Sequence, residues 1–436
     1  MLFIVRYIQQ GLQLLLRNSH VISPAQNING RFDILIVNGV INRMGVIWQH
    51  EREVMQIDMT GKIIVPGLFD MHVHFRDPGQ TYKEDIASGA LGAAYGGFTG
   101  VLCMPNTKPP VDSAEVIKRN IEKARDNIVN VYNTCCATLG RGGKQIANVR
   151  ILHKAGALAI TDDGNPIGDD NLMRKSLKLS AELHIPVMQH CEVMNQSGEG
   201  VMNEGEISRK LNVKGIPDSA EYEMIERDIR LTREIKGSHY HVQHISTKEG
   251  VELVRKAKAE GINVTAEACP HHFILTDEAV LKYGTNAKMN PPLRTQEDVD
   301  AIIVGLKDGT IDTICTDHAP HSEEEKKLSL EKAPFGIIGL ETAVGLTYTY
   351  LVAKGIISIE DMIRCMSVNP RKILNLPEIK ISEGEIANLT ILDLNSKWTV
   401  DVNKFHSKSK NTPYTGWELT GKPSGVLNNC QHLIYG

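Results

Sequence analysis

Short apolar runs recur along the middle of the chain, at 67–71, 100–104, 129–135, 158–161, 186–189, 240–243, 263–267 and 312–316. Their length suits buried strands rather than helices. Between most of them lie stretches with helical spacing of apolar residues, at 83–95, Ala114–Ala124, 171–183, 221–235 and Lys248–Ala259. Eight strands alternating with helices predict an α/β fold, a parallel (β/α)8 TIM-like barrel. A doubly wound sheet fits less well, because no Gly-rich phosphate turn follows the first run.

The two ends of the chain have another pattern. Strands are predicted at 13–17, 33–37 and 40–43, with Asn38-Gly39 as the turn between the last two. Further strands are predicted at 387–394 and 417–420. We therefore expect a small β-sandwich domain built from both termini, 1–65 plus 380–436, and a barrel over 66–379. The apolar residues of the first 18 positions are broken by Arg6, Gln9, Gln10 and Gln13. That segment reads as a non-essential leader before a strand, not as a membrane span or a cleaved signal.

Composition narrows the classes. A formal net charge of −4 over 436 residues leaves no basic footprint for nucleic acid and no polybasic membrane patch. None of the eight cysteines forms a C-x-x-C pair, and several lie in apolar runs. A chain of this size needs no disulfide staples, so reduced thiols and a cytoplasmic location are expected.

The candidate chemistry sits just past the apolar runs. The first ends in Asp70-Met71-His72-Val73-His74, where residues i and i+2 of a strand face the same side. The fourth ends in Thr161-Asp162-Asp163-Gly164 and the fifth in Gln189-His190-Cys191-Glu192. The sixth ends in Gln243-His244 and the eighth in Thr316-Asp317-His318-Ala319-Pro320-His321. In a barrel these positions share the C-terminal face, where barrel enzymes keep their active sites. Histidines and carboxylates converging there suit a metal with nitrogen and oxygen ligands, zinc above others.

The stretch Pro66 to Gly79, with His72-Val73-His74-Phe75-Arg76-Asp77-Pro78-Gly79 at its end, resembles the opening signature of dihydroorotases in the amidohydrolase superfamily. Met104-Pro105-Asn106-Thr107, Lys288 to Arg294, Thr316 to His321 and Ala333-Pro334-Phe335-Gly336 resemble the family in the same order. The resemblance implies His72 and His74 on a first zinc with Asp317 as third protein ligand, and His190 and His244 on a second. Where many relatives bridge the metals with a carbamylated lysine, Asp162-Asp163 resembles the branch that uses aspartate. Asp163 is the expected bridge and Asp162 the alternative. One or two zinc ions are expected, two from the resemblance. Asp317 is expected to act as general base as well as ligand.

Arg76 lies two residues past His74, on the same alternating side, and its planar fork suits a carboxylate. The resemblance also assigns substrate contacts to Asn106, Asn290, His321 and the backbone near Gly336. His241 is set aside as pointing to the opposite face of its strand, His271 and His272 as structural or as supporting the ligands from behind, and His318 as orienting Asp317 or its loop. Asn388 departs from the aspartate frequent in relatives, and the loop 192–218 resists alignment. The implied reaction is the reversible cyclisation of N-carbamoyl-L-aspartate to dihydroorotate, in pyrimidine synthesis. Two alternatives stay open: another cyclic amidohydrolase, such as an allantoinase or dihydropyrimidinase, and an inactive subunit that scaffolds a transcarbamoylase. A homodimer and association with aspartate transcarbamoylase are the partners the resemblance leaves open.

Overall fold

The computed structural model describes residues 13–47 and 54–435. The first 12 residues, expected to be a leader, lie outside the described residues. Five strands come first: β1 (Gln13–Ser23), β2 (Ile28–Val37), β3 (Val40–Gly45), β4 (Met55–Asp58) and β5 (Ile63–Pro66). The barrel strands begin with β6 (Leu68–Val73), β7 (Phe98–Cys103), β8 (Asn130–Cys135), β9 (Ala157–Ile160) and β10 (Val187–Gln189). A two-stranded excursion, β11 (Met202–Asn203) and β12 (Gly215–Ile216), interrupts them. They resume with β13 (Tyr240–Val242), β14 (Val264–Ala268) and β15 (Thr313–Ile314). The chain ends in β16 (Leu389–Thr399), β17 (Glu418–Asn428) and β18 (Gln431–Ile434).

Strands from both chain ends share one sheet, in the order β18-β17-β16-β5-β1-β2-β3, with β4 also on β1. A corner in β1 makes this possible. Residues 14–17 pair with β4, whereas His20 and Val21 pair with β5. The switch falls at Asn18, whose φ is 57° and where the register against β2 slips between Leu16 and Ser19. Asparagine tolerates the left-handed region better than most residues, and the slip bends the strand. The sheet thereby curls over a core containing Leu14, Leu16, Ile34, Ile41, Ile64, Leu389 and Ile391.

The second sheet is the expected parallel barrel, in the order β15-β14-β13-β10-β9-β8-β7-β6. Its seam joins β6 to the residues after β15, where the His74 N–H donates to the His318 carbonyl at 2.8 Å. The Asp70 carboxylate completes that seam, accepting the backbone N–H groups of His72 and Thr316 at 3.0 and 3.2 Å. Thr316 thus bonds a side chain instead of a strand neighbour, and β15 ends two residues earlier than the apolar run predicts.

Helices cover the barrel where the spacing predicted them. One difference is Ile86–Tyr95, which begins three residues later than expected because Asp85 caps it through the Ser88 N–H. Two crossover helices that the spacing did not predict are Val149–Lys154 and Gln296–Asp308. The unaligned loop 192–218 holds β11, β12 and the short helix Glu206–Leu211. Among the described residues, no helix is long and apolar enough to cross a membrane.

Candidate active site

The barrel strands deliver their polar ends to one cavity of about 220 Å³. His74, Arg76, Asn106, Asp163, His190, His244, Asn290, Asp317, His321 and Gly336 all line it. His72 lies beneath, fully buried. Every site residue expected from the sequence is therefore in one place.

The centre is a knot of imidazoles and carboxylates. His74 Nε2 is 2.9 Å from Asp317 Oδ1. His72 Nε2 is 3.5 Å from the same oxygen and 3.4 Å from Asp163 Oδ1. Asp163 also stands 3.7 Å from His74 Nε2 and 3.9 Å from His244 Nε2. His190 Nδ1 and His244 Nε2 face each other at 2.9 Å. Two sets, His72–His74–Asp317 and His72–Asp163–His244, each bring three ligand atoms within 4.8 Å of one another. Both could hold a metal ion.

The two aspartates after β9 point different ways. Asp162 Oδ1 accepts the backbone N–H groups of Ala137 and Thr138 at 2.9 and 3.1 Å, and its other oxygen bonds the Thr138 hydroxyl. It secures the loop after β8. Asp163 faces the histidines.

Three of the four central rings are oriented from behind, whereas His244 Nδ1 has no hydrogen-bond partner among the described residues. His72 Nδ1–H donates to Glu267 Oε1 at 2.5 Å, and His241 Nε2–H donates to Glu267 Oε2 at 3.1 Å. His74 Nδ1–H donates to Asn106 Oδ1 at 2.8 Å, and His190 Nε2–H to Glu192 Oε2 at 3.0 Å. For His72, His74 and His190 the bond leaves the other ring nitrogen facing the centre, the arrangement metal-binding histidines use. Glu267 and Glu192 escaped the sequence reading. Glu267 had a visible signal, an acidic residue closing an apolar run. Glu192 lay in the loop that could not be aligned.

Electrostatics reflect the geometry. Burial disfavours a charged His72 ring, yet Glu267, Asp317 and Asp163 outweigh it and raise its pKa well above the ordinary value. Burial takes His244 the other way, to about 3, helped by the His190 and His72 rings. Burial also opposes ionisation of Asp317, but His72, His74 and His244 hold its pKa far below the usual range. Among the described residues, His72 Nε2 has no hydrogen-bond partner despite facing two carboxylates. The anionic oxygens gathered there call for positive charge, a ring proton or a metal ion in its place.

The opposite wall carries a buried cation. Arg76 Nε donates to the Pro320 carbonyl at 3.3 Å. Burial lowers the guanidinium's pKa to about 10, so it stays charged at neutral pH. Its φ is 56°, so a left-handed turn brings it to the mouth, not the strand alternation expected from the sequence. His321 Nε2–H donates to the Phe335 carbonyl at 2.7 Å, which leaves Nδ1 to accept from Lys83 Nζ at 3.3 Å. Burial, with Arg76, Lys83 and Lys326 nearby, takes His321 to about 2 and keeps it neutral. Gly336 has φ 119°, and a Cβ there would lie 2.5 Å from Ala319 Cβ, so only glycine fits that wall. Asn106 and Asn290 each spend one donor on the knot, Asn106 on Asp163 Oδ2 at 2.9 Å and Asn290 on Glu192 Oε2 at 2.9 Å. An amide has two donors and two acceptor sites, so both retain hydrogen-bonding capacity. His318 turns away, with Nε2 3.5 Å from Glu84.

A parallel barrel with this knot at its strand ends, joined to a curled sheet from both chain ends, defines a cyclic amidohydrolase. Solved structures agree: L-hydantoinase from Arthrobacter aurescens matches with a TM-score of 0.85 at 25% identity, covering 97% of this chain and 96% of that one. The dihydropyrimidinase from Brevibacillus agri shares the fold, with a TM-score of 0.83 at 23% identity, covering 97% and 95%. The sequence comparisons are more specific. A family profile described as "Dihydro-orotase-like" matches residues 61–250. The dihydroorotase of Acetivibrio thermocellus is 46% identical over 425 residues, 97% of this chain and 99% of its own. That of Ruminiclostridium cellulolyticum is 46% identical over 418 residues, 95% and 97%. The chain belongs to the dihydroorotase family.

Proposed function

We propose that this protein is a zinc-dependent dihydroorotase that interconverts (S)-dihydroorotate and N-carbamoyl-L-aspartate in pyrimidine (UMP) synthesis. The observation that carries the reading is a charged guanidinium, Arg76, on the wall of a cavity shared with four imidazoles and two carboxylates. A substrate with both a carboxylate and a cyclic amide fits that pairing.

His72, His74 and Asp317 would hold one zinc, His190 and His244 a second, with Asp163 between them. The unpartnered His72 nitrogen and the facing His190–His244 pair support that assignment. Zinc bound there supplies Lewis acidity, lowering the pKa of water toward about 7 and polarising an amide carbonyl. Asp317, kept ionised by the rings around it, accepts the proton of the attacking water and delivers it to the departing ring nitrogen. In ring closure the same carboxylate takes the proton from that nitrogen. Arg76 binds the carboxylate and fixes the ring, with His321, Asn106, Asn290 and the backbone at Gly336 around it.

We read 1–65 with 380–436 as one domain and 66–379 as the barrel domain. A cytoplasmic location, a homodimer and association with aspartate transcarbamoylase belong to the same reading. The test is turnover of dihydroorotate beside that of a neutral dihydropyrimidine, with metal analysis before and after chelation. Preference for dihydroorotate, lost with the metal and restored by zinc, is expected. Preference for the neutral ring would favour a dihydropyrimidinase or allantoinase, and a metal-loaded protein inert on both would favour a scaffold.

A further inference from the structure

Three residues just past β14 form a cluster that the proposed chemistry does not use. Cys269, His271 and His272 are all buried, and one ligand atom from each lies within 4.8 Å of the others. Among the described residues, His271 Nε2 and His272 Nδ1 have no hydrogen-bond partner. A buried polar atom left unpaired is destabilising, so two in adjacent residues require an explanation.

We propose that Cys269, His271 and His272 form a separate structural zinc site under the barrel mouth. The donors, one thiolate with two imidazoles, are of the types that zinc takes. The His272 tautomer is fixed as a ligand needs it, since Nε2–H donates to the Pro291 carbonyl at 3.0 Å and leaves Nδ1 as a lone pair. Cys315 Sγ stands 3.7 Å from Cys269 Sγ but gathers with His72 and Glu267 and not with the two histidines, so a water would complete the four ligands. Because Pro291 is the residue after Asn290, an ion held here braces the segment that carries Asn290 to the cavity wall.

The site is tested with cobalt in the full-length protein. Thiolate-bound Co²⁺ gives a near-ultraviolet charge-transfer band that cobalt on nitrogen and oxygen ligands does not. Titration of chelated protein should raise this band to one equivalent per chain. Cys269→Ser should abolish it and bind one equivalent less, while the visible absorption of cobalt at the barrel mouth persists. His272→Gln should weaken the affinity read from the band at least about tenfold. Circular dichroism shows which variants fold, and if Cys269→Ser does not, the wild-type band and His272→Gln decide. A wild type saturated without the band, a band unchanged in Cys269→Ser, or one indifferent to His272→Gln overturns the proposal. Water would then satisfy the two nitrogens. None of these readouts depends on turnover, so they stand apart from the dihydroorotase reading.

Discussion

The two walls of the cavity anchor their side chains differently. On the histidine wall the groups behind the rings are mostly carboxylates: Glu267 behind His72 and Glu192 behind His190. On the Arg76 wall the groups behind are backbone carbonyls, Pro320 for Arg76 and Phe335 for His321. A carboxylate behind a ring raises its electron density and fixes it to bind a cation. A carbonyl orients a cation without neutralising it, so Arg76 keeps its charge for an incoming anion. One wall is thus negative and the other positive, across about 220 Å³. On the proposed function, a substrate anion is drawn to one side while its amide meets the other.

Variants of each wall should therefore fail in different ways. The largest effect is expected from Asp317→Asn, which removes the proposed proton acceptor and metal ligand together. Turnover should fall by about 10⁴-fold or more, with metal content reduced as well. Arg76→Met should lower kcat/KM for dihydroorotate by about 10²-fold, a loss of about 3 kcal/mol, with metal content unchanged. An equal loss of metal in both variants would erase the distinction between the walls. Glu267→Gln should weaken metal affinity about 10- to 100-fold, measured by competition with a chelator, without altering preference among ring substrates. Lys83→Met, which releases the His321 ring, should raise KM about fivefold with little change in kcat.

The smallest expected effect is an absence of change. His321 and His272 have pKa values of about 2 and about 4, against 6.5 when free, mainly because burial disfavours the charged ring. Their folded values lie below the unfolded one. Their contribution to stability is therefore complete above about pH 6.5 and is lost as pH falls toward the folded values. Ring nitrogen resonances of both should stay those of neutral imidazole between pH 5 and 8. Titration of His321 near 6.5 would show that its wall is open to water.

Much of this was legible in the chain. The barrel strands are apolar runs, and the knot is made by the residues directly after five of them, so period and residue type together located the site. Arg76 was found for a partly mistaken reason, since a left-handed turn and not alternation brings it round. What escaped was the layer behind. Glu267 meets His72 across 195 positions, and no local pattern reports a contact at that distance. Val149–Lys154 spans only six residues, too few to show a helical period. The β1 corner was hidden because one residue, Asn18, makes it.

The central claim is that Arg76 selects a carboxylate-bearing ring while the histidine wall works independently of it. The direct measurement is kcat/KM of Arg76→Met on dihydroorotate, with bound zinc counted on the same sample. A loss of about 10²-fold at full zinc content is the predicted result. Unchanged turnover of dihydroorotate at full zinc content would contradict it.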